Sequence, residues 1–248
     1  MNPRQTNLIA YVSEHGKTEV SVLAEHLNIS KVTIRKDLEY LSEKGILKRT
    51  RGFAVLNDPG DINYRLAFHY EEKLRIAKLA ASCVEDGETV IIESGSTCAI
   101  FAEELVKTKE NLTIVTNCMH IATYIKDYPN HNIIVLGGNL QPKTQALVGP
   151  ITKAAIQTIS VDKIFVGADG YSRNQGFTGT DLMRLDTLRT MIASAKKTYV
   201  LVESEKFDKA GTVSFLPLDS VYEVVTDDQI PTEEAEYLES VGIILSKA

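Results

Sequence analysis

The sequence predicts an α/β protein in two parts: a small, mostly helical N-terminal domain and a larger domain on a mainly parallel sheet. Three observations predict it. Residues 18–54 hold two short helical patterns that meet at a tight turn, Asn28-Ile29-Ser30, followed at once by a basic hairpin around Arg49, Arg51 and Gly52. Beyond residue 61, seven short Val/Ile/Leu-rich runs alternate with amphipathic helical stretches, the pattern of strands buried on both faces. Between the two lies a breaker cluster, Asn57-Asp58-Pro59-Gly60-Asp61. The division expected is residues 1–56 as a winged helix-turn-helix, 57–63 as a linker, and 64–248 as the α/β domain.

Elements of the first domain follow from spacing. Leu8, Ile9 and Val12 form an apolar helical stripe that Gly16 can stop. Ser21 or Thr18 can cap a second helix carrying Val22, Leu23 and Leu27, and Ser30 a third. On that third helix Ile34, Leu38 and Leu41 fall at i, i+4 and i+7 and face the core. Val32, Thr33, Lys36 and Tyr40 then lie opposite, with Lys31 and Arg35 on one flank. An outward basic face is by itself ordinary solvated surface. The tight turn before it and Lys48-Arg49-Thr50-Arg51 after it make it a helix for the major groove, flanked by a phosphate-gripping wing. Candidate DNA contacts are Ser30, Lys31, Val32, Thr33, Arg35, Lys36, Lys48, Arg49 and Arg51, with double-stranded operator DNA as partner. Asp37 and Glu39 read as structural, because carboxylates facing phosphate are repelled.

Charge agrees with this division. Residues 1–56 carry nine Lys/Arg against six Asp/Glu, and the remainder eighteen against twenty-seven, so a head of +3 sits on a body of −9. With 44% apolar residues the chain can build real cores. No apolar run approaches the roughly 20 residues of a membrane span, and the N-terminus lacks a secretory pattern. Cys83, Cys98 and Cys118 show neither disulfide nor zinc spacing, so a cytoplasmic location is expected, with no cofactor and no metal.

In the second domain Tyr64 to Val84 reads as one helix, with Cys83 as buried packing. The seven runs are residues 89–93, 112–116, 132–136, 163–167, 198–202, 222–226 and 242–246. Ligands collect at the C-terminal ends of such strands. Glu93-Ser94-Gly95-Ser96-Thr97 follows the first run and opens a helix, the arrangement of an anion cradle. Asn117 follows the second, Gly137-Gly138 the third, Gly167-Ala168-Asp169-Gly170 the fourth, and Glu203-Ser204-Glu205-Lys206-Phe207 the fifth. Each alone is ordinary turn chemistry, with Asp169 a turn former and Lys206 a surface lysine. Their convergence points to a pocket in which Lys206 supplies charge for a phosphate.

The string NISKVTIRKDLEYLSEKGILKRTRGFA resembles the winged helix-turn-helix signature of DeoR-type bacterial regulators, with Arg51-Gly52-Phe53 at the family's His-Gly-Gly wing and Lys36 at an arginine. The body resembles that family's C-terminal sensor domain, related in fold to ribose-5-phosphate isomerase. The matching motifs are ESGST, Thr116-Asn117, Gly137-Gly138, Gly149, GADG and SEKF. The resemblance implies a phosphorylated sugar effector, with Gly95, Ser96, Thr97 and Lys206 on its phosphate and Asn117 and Asp169 on its hydroxyls. Ser94, Gly137, Gly138 and Arg184 complete the candidate effector site. Arg184 and Leu188 depart from the family's pattern, which has Glu and Lys there.

The function expected is a transcriptional regulator, a repressor of a carbohydrate-metabolism operon, acting as a homodimer or homotetramer because one head buries too little surface on DNA. The rival is a sugar-phosphate isomerase fused to a DNA-binding domain. GADGYSRNQGF lacks the acidic residue and glycine-rich run that the isomerases carry, and Glu93 is the remaining candidate base. No catalytic residue is assigned. Cys98 at a helix start reads as packing, with a redox sensor as the alternative.

Overall fold

A computed structural model of the chain describes residues 3–43, 46–56 and 60–248, without the side chains of Glu43, Arg49 and Leu56. The chain divides into two compact units between Glu71 and Glu72. Asn57, Asp58 and Pro59 of the breaker cluster lie outside the described residues.

The first unit contains α1 (Pro3–His15), β1 (Thr18–Glu19), α2 (Val20–His26), α3 (Lys31–Glu43), β2 (Leu47–Thr50), β3 (Phe53–Leu56) and α4 (Ile62–Ala67). Its core joins Leu8, Ile9 and Val12 of α1 to Leu23 of α2 and to Ile34, Leu38 and Leu41 of α3, the stripes that spacing predicts. Asn28 ends α2 in the left-handed region, at φ 51°. Its N–H returns to the Glu25 carbonyl and that of Ile29 to Ala24, so the tight turn is a hydrogen-bonded helix stop with asparagine where glycine often stands. The wing is the antiparallel pair β2–β3, joined on its other side by β1. Gly52 closes the hairpin at φ +79°, a conformation that side chains disfavour.

The helix expected over 64–84 is two helices, α4 and α5 (Tyr70–Ala81), because His69 adopts φ 51° and no helix continues through it. Asp61 caps α4 by accepting from the Asn63 N–H at 2.9 Å, and Ala67 packs into the first core. On α5 the inward stripe is Lys73, Ile76, Ala77, Ala80 and Ala81, which places a lysine among core positions and leaves Cys83, beyond the helix, only half-buried.

The second unit continues with β4 (Thr89–Ile92), α6 (Ser96–Thr108), β5 (Thr113–Thr116), α7 (Met119–Ile125), β6 (Asn132–Val135), β7 (Asn139–Gln141), β8 (Ala146–Val148), α8 (Pro150–Ile156) and β9 (Val161–Val166). There follow β10 (Gly170–Ser172), β11 (Gly176–Gly179), α9 (Leu182–Ile192), β12 (Ala195–Leu201), β13 (Val213–Leu216), β14 (Glu223–Thr226), α10 (Thr232–Ser240) and β15 (Ile244–Lys247). All seven runs become strands of one parallel sheet, ordered β15-β14-β12-β9-β4-β5-β6. From β4 the chain steps through β5 to β6 at one edge. It then returns to β9, on the other side of β4, and steps outward through β12 and β14 to β15. The direction of winding therefore reverses between β4 and β9, the place where loops diverge and ligands bind in sheets of this kind. Interior strands are buried as continuous apolar runs demand. Edge strand β6 is not: Ile134 and Val135 are exposed.

Two small antiparallel sheets, β7–β8 and β10–β11–β13, complete the unit, and none of their strands is among the seven runs read from sequence. Gly138 leads into the first at φ +146°, and a Cβ there would stand 2.0 Å from Thr152 Oγ1 and 2.8 Å from the Val148 carbonyl oxygen. Gly138→Ala is therefore expected to destabilise the protein by about 1–3 kcal/mol, measured by urea unfolding. An unchanged midpoint would mean that the β6–β7 turn moves freely away from α8.

Candidate functional site

In the first unit, Ser30 caps α3: its Oγ accepts from the Thr33 N–H at 3.1 Å and lies 2.9 Å from Thr33 Oγ1. The cap holds the start of α3 with Lys31, Val32, Arg35 and Lys36 exposed and Thr33 half-buried. Val32 is 62% exposed, open to a partner on the outer face of α3. Asp37 turns inward, 4% exposed. It takes Nε and Nη2 of Arg4 at 2.6 and 2.9 Å and Gln5 Nε2 at 3.2 Å, which clamps α3 to α1. The wing presents Lys48 and Arg51; the Arg49 side chain lies outside the described ones. Lys17 stands 4.4 Å from the Phe53 ring centroid and adds a cation beside the wing that periodicity did not single out.

In the second unit the crevice between β4 and β9 gathers most of the predicted effector residues. Ser94, Gly95, Ser96 and Thr97 run from the end of β4 into the first turn of α6, all buried. Asp169 lies beyond the end of β9, and Arg184 reaches in from the start of α9. Arg184 is 5% exposed, with Nη2 3.0 Å from Asp169 Oδ2 and Nη1 3.5 Å from Glu93 Oε1. Burial alone would lower its pKa; Glu93, Asp169 and Asp181 outweigh burial and raise it. The cation that replaces the family's expected glutamate is thus built into the site as the partner of two carboxylates.

Next to it, Thr97 Oγ1 donates to Glu203 Oε2 at 3.1 Å, and Lys73 Nζ lies 3.0 Å from Glu203 Oε1. Glu203 is 6% exposed; burial would raise its pKa, but Lys73 and then Lys206 draw it below its ordinary 4.5. Thr97 and Lys206 therefore act on the same carboxylate and share one end of the sheet. Lys206 is half-buried in a short 3-10 turn, 2.5 Å from Glu205 Oε1, and Lys209 is 3.0 Å from Oε2. Burial opposes ionisation of Glu205, yet these two lysines bring its pKa down to about 2.

Other predicted residues follow the strands beside β4. Asn117 ends β5, one strand from the crevice, and its Nδ2 donates to the Leu147 carbonyl at 3.2 Å. Gly137 and Gly138 follow β6, two strands away, where Thr152 Oγ1 donates to the Gly137 carbonyl at 2.6 Å; closeness to Thr152 requires the glycine at 138, whereas a Cβ at 137 would meet Ile151 only at an ordinary 3.7 Å. Lys73 was not singled out in sequence, and Glu203 was named only within the strand-end segment that carries Lys206; the one signal for Lys73 was its phase with the inward positions of α5. Cys98 is fully buried, and burial followed by nearby Glu93 pushes its thiol well above the usual value. Burial likewise raises Cys118 to about 11, so neither thiol has the character of a redox sensor. Among the described residues no group of His, Cys, Asp and Glu is arranged to hold a metal ion.

A capped helix with an exposed basic face, a charged wing, and an α/β body with a polar crevice at its switch point define a two-domain DNA-binding regulator with a sensor body. Residues 4–60 match the DeoR-like helix-turn-helix domain and residues 68–228 the DeoR C terminal sensor domain. The chain belongs to the DeoR family of transcriptional regulators. It is 30% identical to HTH-type transcriptional regulator IolR of Bacillus subtilis (strain 168), covering 95% of this chain and 96% of that one. It is 29% identical to a lactose phosphotransferase system repressor of Staphylococcus epidermidis, over 98% of each chain. The L-fucose operon activator of Haemophilus influenzae is 27% identical, over 98% and 99%. Among solved structures, a D-ribose-5-phosphate isomerase in complex with phospho-erythronic acid aligns over 56% of this chain and 54% of its own, at 20% identity and a TM-score of 0.43. No helix of the described residues is long and apolar enough to cross a membrane.

Proposed function

We propose that this regulator represses a carbohydrate-metabolism operon in the cytoplasm and that a phosphorylated sugar in the β4/β9 crevice modulates its hold on operator DNA. The supporting observation is the convergence of the Ser94–Thr97 loop, the start of α6 and Lys206 on one end of the sheet, linked through Glu203. Backbone N–H groups at the start of a 13-residue helix and a lysine beside them suit a phosphate. Relatives named for lactose and L-fucose systems favour a carbohydrate signal. On the DNA side, Ser30, Lys31, Val32, Thr33, Arg35, Lys36, Lys48, Arg49 and Arg51 form the contact surface. Two or four copies acting together give the buried area that specific binding needs.

Ligand alters DNA affinity only by binding the DNA-competent and DNA-released states unequally, a coupling of about 1–3 kcal/mol. No catalysis is assigned to the site, because GADGYSRNQGF lacks the acidic residue and the glycine-rich run that the isomerases carry. Melting of the purified protein across pentose and hexose phosphates is expected to rise with at least one of them, without turnover of any. Lys206→Ala is expected to keep full operator affinity while losing effector response by about tenfold or more in half-maximal concentration. A variant that responds normally removes Lys206 from the pocket.

A further inference from the structure

We infer that the end of the effector remote from its phosphate is read by hydrogen-bond acceptors. On this inference the crevice takes a sugar phosphate offering hydroxyl or ammonium donors there and rejects one offering a carboxylate. The inference rests on the sugar-phosphate reading of this crevice. Ile92 and Thr116 are paired in register on neighbouring parallel strands, so Glu93 and Asn117, which follow them, leave the sheet side by side. Both are buried, at 1% and 0% exposure. Glu93 Oε1 is engaged by Ser94 and Arg184, whereas Oε2 has no hydrogen-bond partner among the described residues. That oxygen lies at the winding reversal: a Cβ added at Gly95 would be 3.3 Å from it, and one at Gly167, beyond β9, 3.9 Å.

Asn117 repeats the situation. Its amide nitrogen is committed to the Leu147 carbonyl, which fixes the orientation of the group, and the remaining Oδ1 likewise has no partner among the described residues. A buried acceptor without a donor is unfavourable. Two such acceptors on adjacent strand ends define a place for a molecule that brings donors. Arg184 Nε is the complementary unpartnered donor. Two acceptors and one donor match a pair of neighbouring hydroxyls, or a hydroxyl beside an ammonium group.

Charge points the same way. Around Arg184 stand three carboxylates, Glu93, Asp169 and Asp181, so this side of the crevice is net negative. On the other side Lys73, Lys206 and Lys209 stand against two acids, Glu203 and Glu205, and leave it net positive. A ligand anionic at one end and neutral or cationic at the other lies along this gradient. A carboxylate at the second end has no hydrogen to give and meets like charge.

The test is calorimetric titration of the full chain with glucose 6-phosphate, fructose 6-phosphate, ribose 5-phosphate and glucosamine 6-phosphate. The same titration is run with 6-phosphogluconate, erythronate 4-phosphate and inorganic phosphate. At least one neutral or amino sugar phosphate is expected to bind about tenfold or more tightly than either sugar-acid phosphate and than inorganic phosphate. Glu93→Gln is expected to narrow that preference, and Asn117→Leu to weaken the sugar phosphate while leaving inorganic phosphate unchanged. Ligand-free melting and DNA binding establish that each variant is folded. Sugar-acid phosphates binding as well as neutral ones, or both variants keeping the wild-type ratio, overturns the inference while the sugar-phosphate reading stands. If no phosphorylated compound binds, both fall.

Discussion

Lys73→Met is expected to destabilise the body by about 3–5 kcal/mol, because it leaves Glu203 charged, buried and deprived of its nearest cation. The methionine itself fits: it keeps the length of the side chain on a helix face otherwise occupied by Ile76, Ala77 and Ala80. What fails is compensation of the carboxylate, and for a chain of this size the melting temperature should fall by roughly 10 °C. The pH dependence identifies the cause. In the native protein Glu203 titrates below its ordinary 4.5, so its ionised form adds stability above that pH and loses it as pH falls through the depressed value. In the variant, protonation of the abandoned carboxylate removes the buried charge. The deficit relative to wild type should therefore be smaller at pH 5 than at pH 7. Equal deficits at the two pH values would assign the loss to packing instead.

Arg35→Ala and Lys36→Ala should each weaken operator binding by about 1–3 kcal/mol, tenfold or more, without altering the melting temperature. Both side chains are exposed on α3, away from the stripe of Ile34, Leu38 and Leu41, so their removal touches no core contact. A duplex selected from random sequence by the full-length protein supplies the operator. Salt dependence separates the roles. A phosphate contact lowers the slope of log affinity against log salt by about one, whereas a base contact relaxes sequence preference at one position. Unchanged affinity for both variants would move recognition to another surface of the head. Asp37→Ala is a useful contrast: it releases Arg4 and Gln5 and acts on the seating of α3, hence on stability as well as on binding.

Much of this architecture was legible because burial writes itself into sequence. Seven apolar runs became seven parallel strands, and Ile34, Leu38 and Leu41 became one side of the head's core. Strands β7, β10 and β11 of the two smaller sheets were not legible, since NLQ, GYS and GFTG are too short to show alternation and are held by backbone pairing, in local hairpins and, for β11, to the distant β13. The break at His69 was equally silent, because a left-handed residue other than glycine leaves no compositional mark. At the crevice, residue types after strand ends located Ser94 to Thr97, Asp169 and Lys206. Sequence could not reveal that Lys73, a polar residue in an amphipathic helix, reaches Glu203 from 130 positions away. Nor could it show that Arg184 would be internally paired; the departure from the family's glutamate was visible, its two carboxylate partners were not.

The order in which these contacts close along the chain has a consequence for synthesis. The first hydrophobic cluster, from Leu8 to Ala67, needs nothing beyond residue 71. The charged crevice needs Lys73, Glu93, Asp169, Arg184 and Glu203, the last of which emerges late. A ribosome that stalls before β12 thus releases a polypeptide whose reading head has every contact of its own but whose receiver is incomplete. Such a fragment would carry the exposed basic face of α3 on a finished core while the paired charges of the body are still missing.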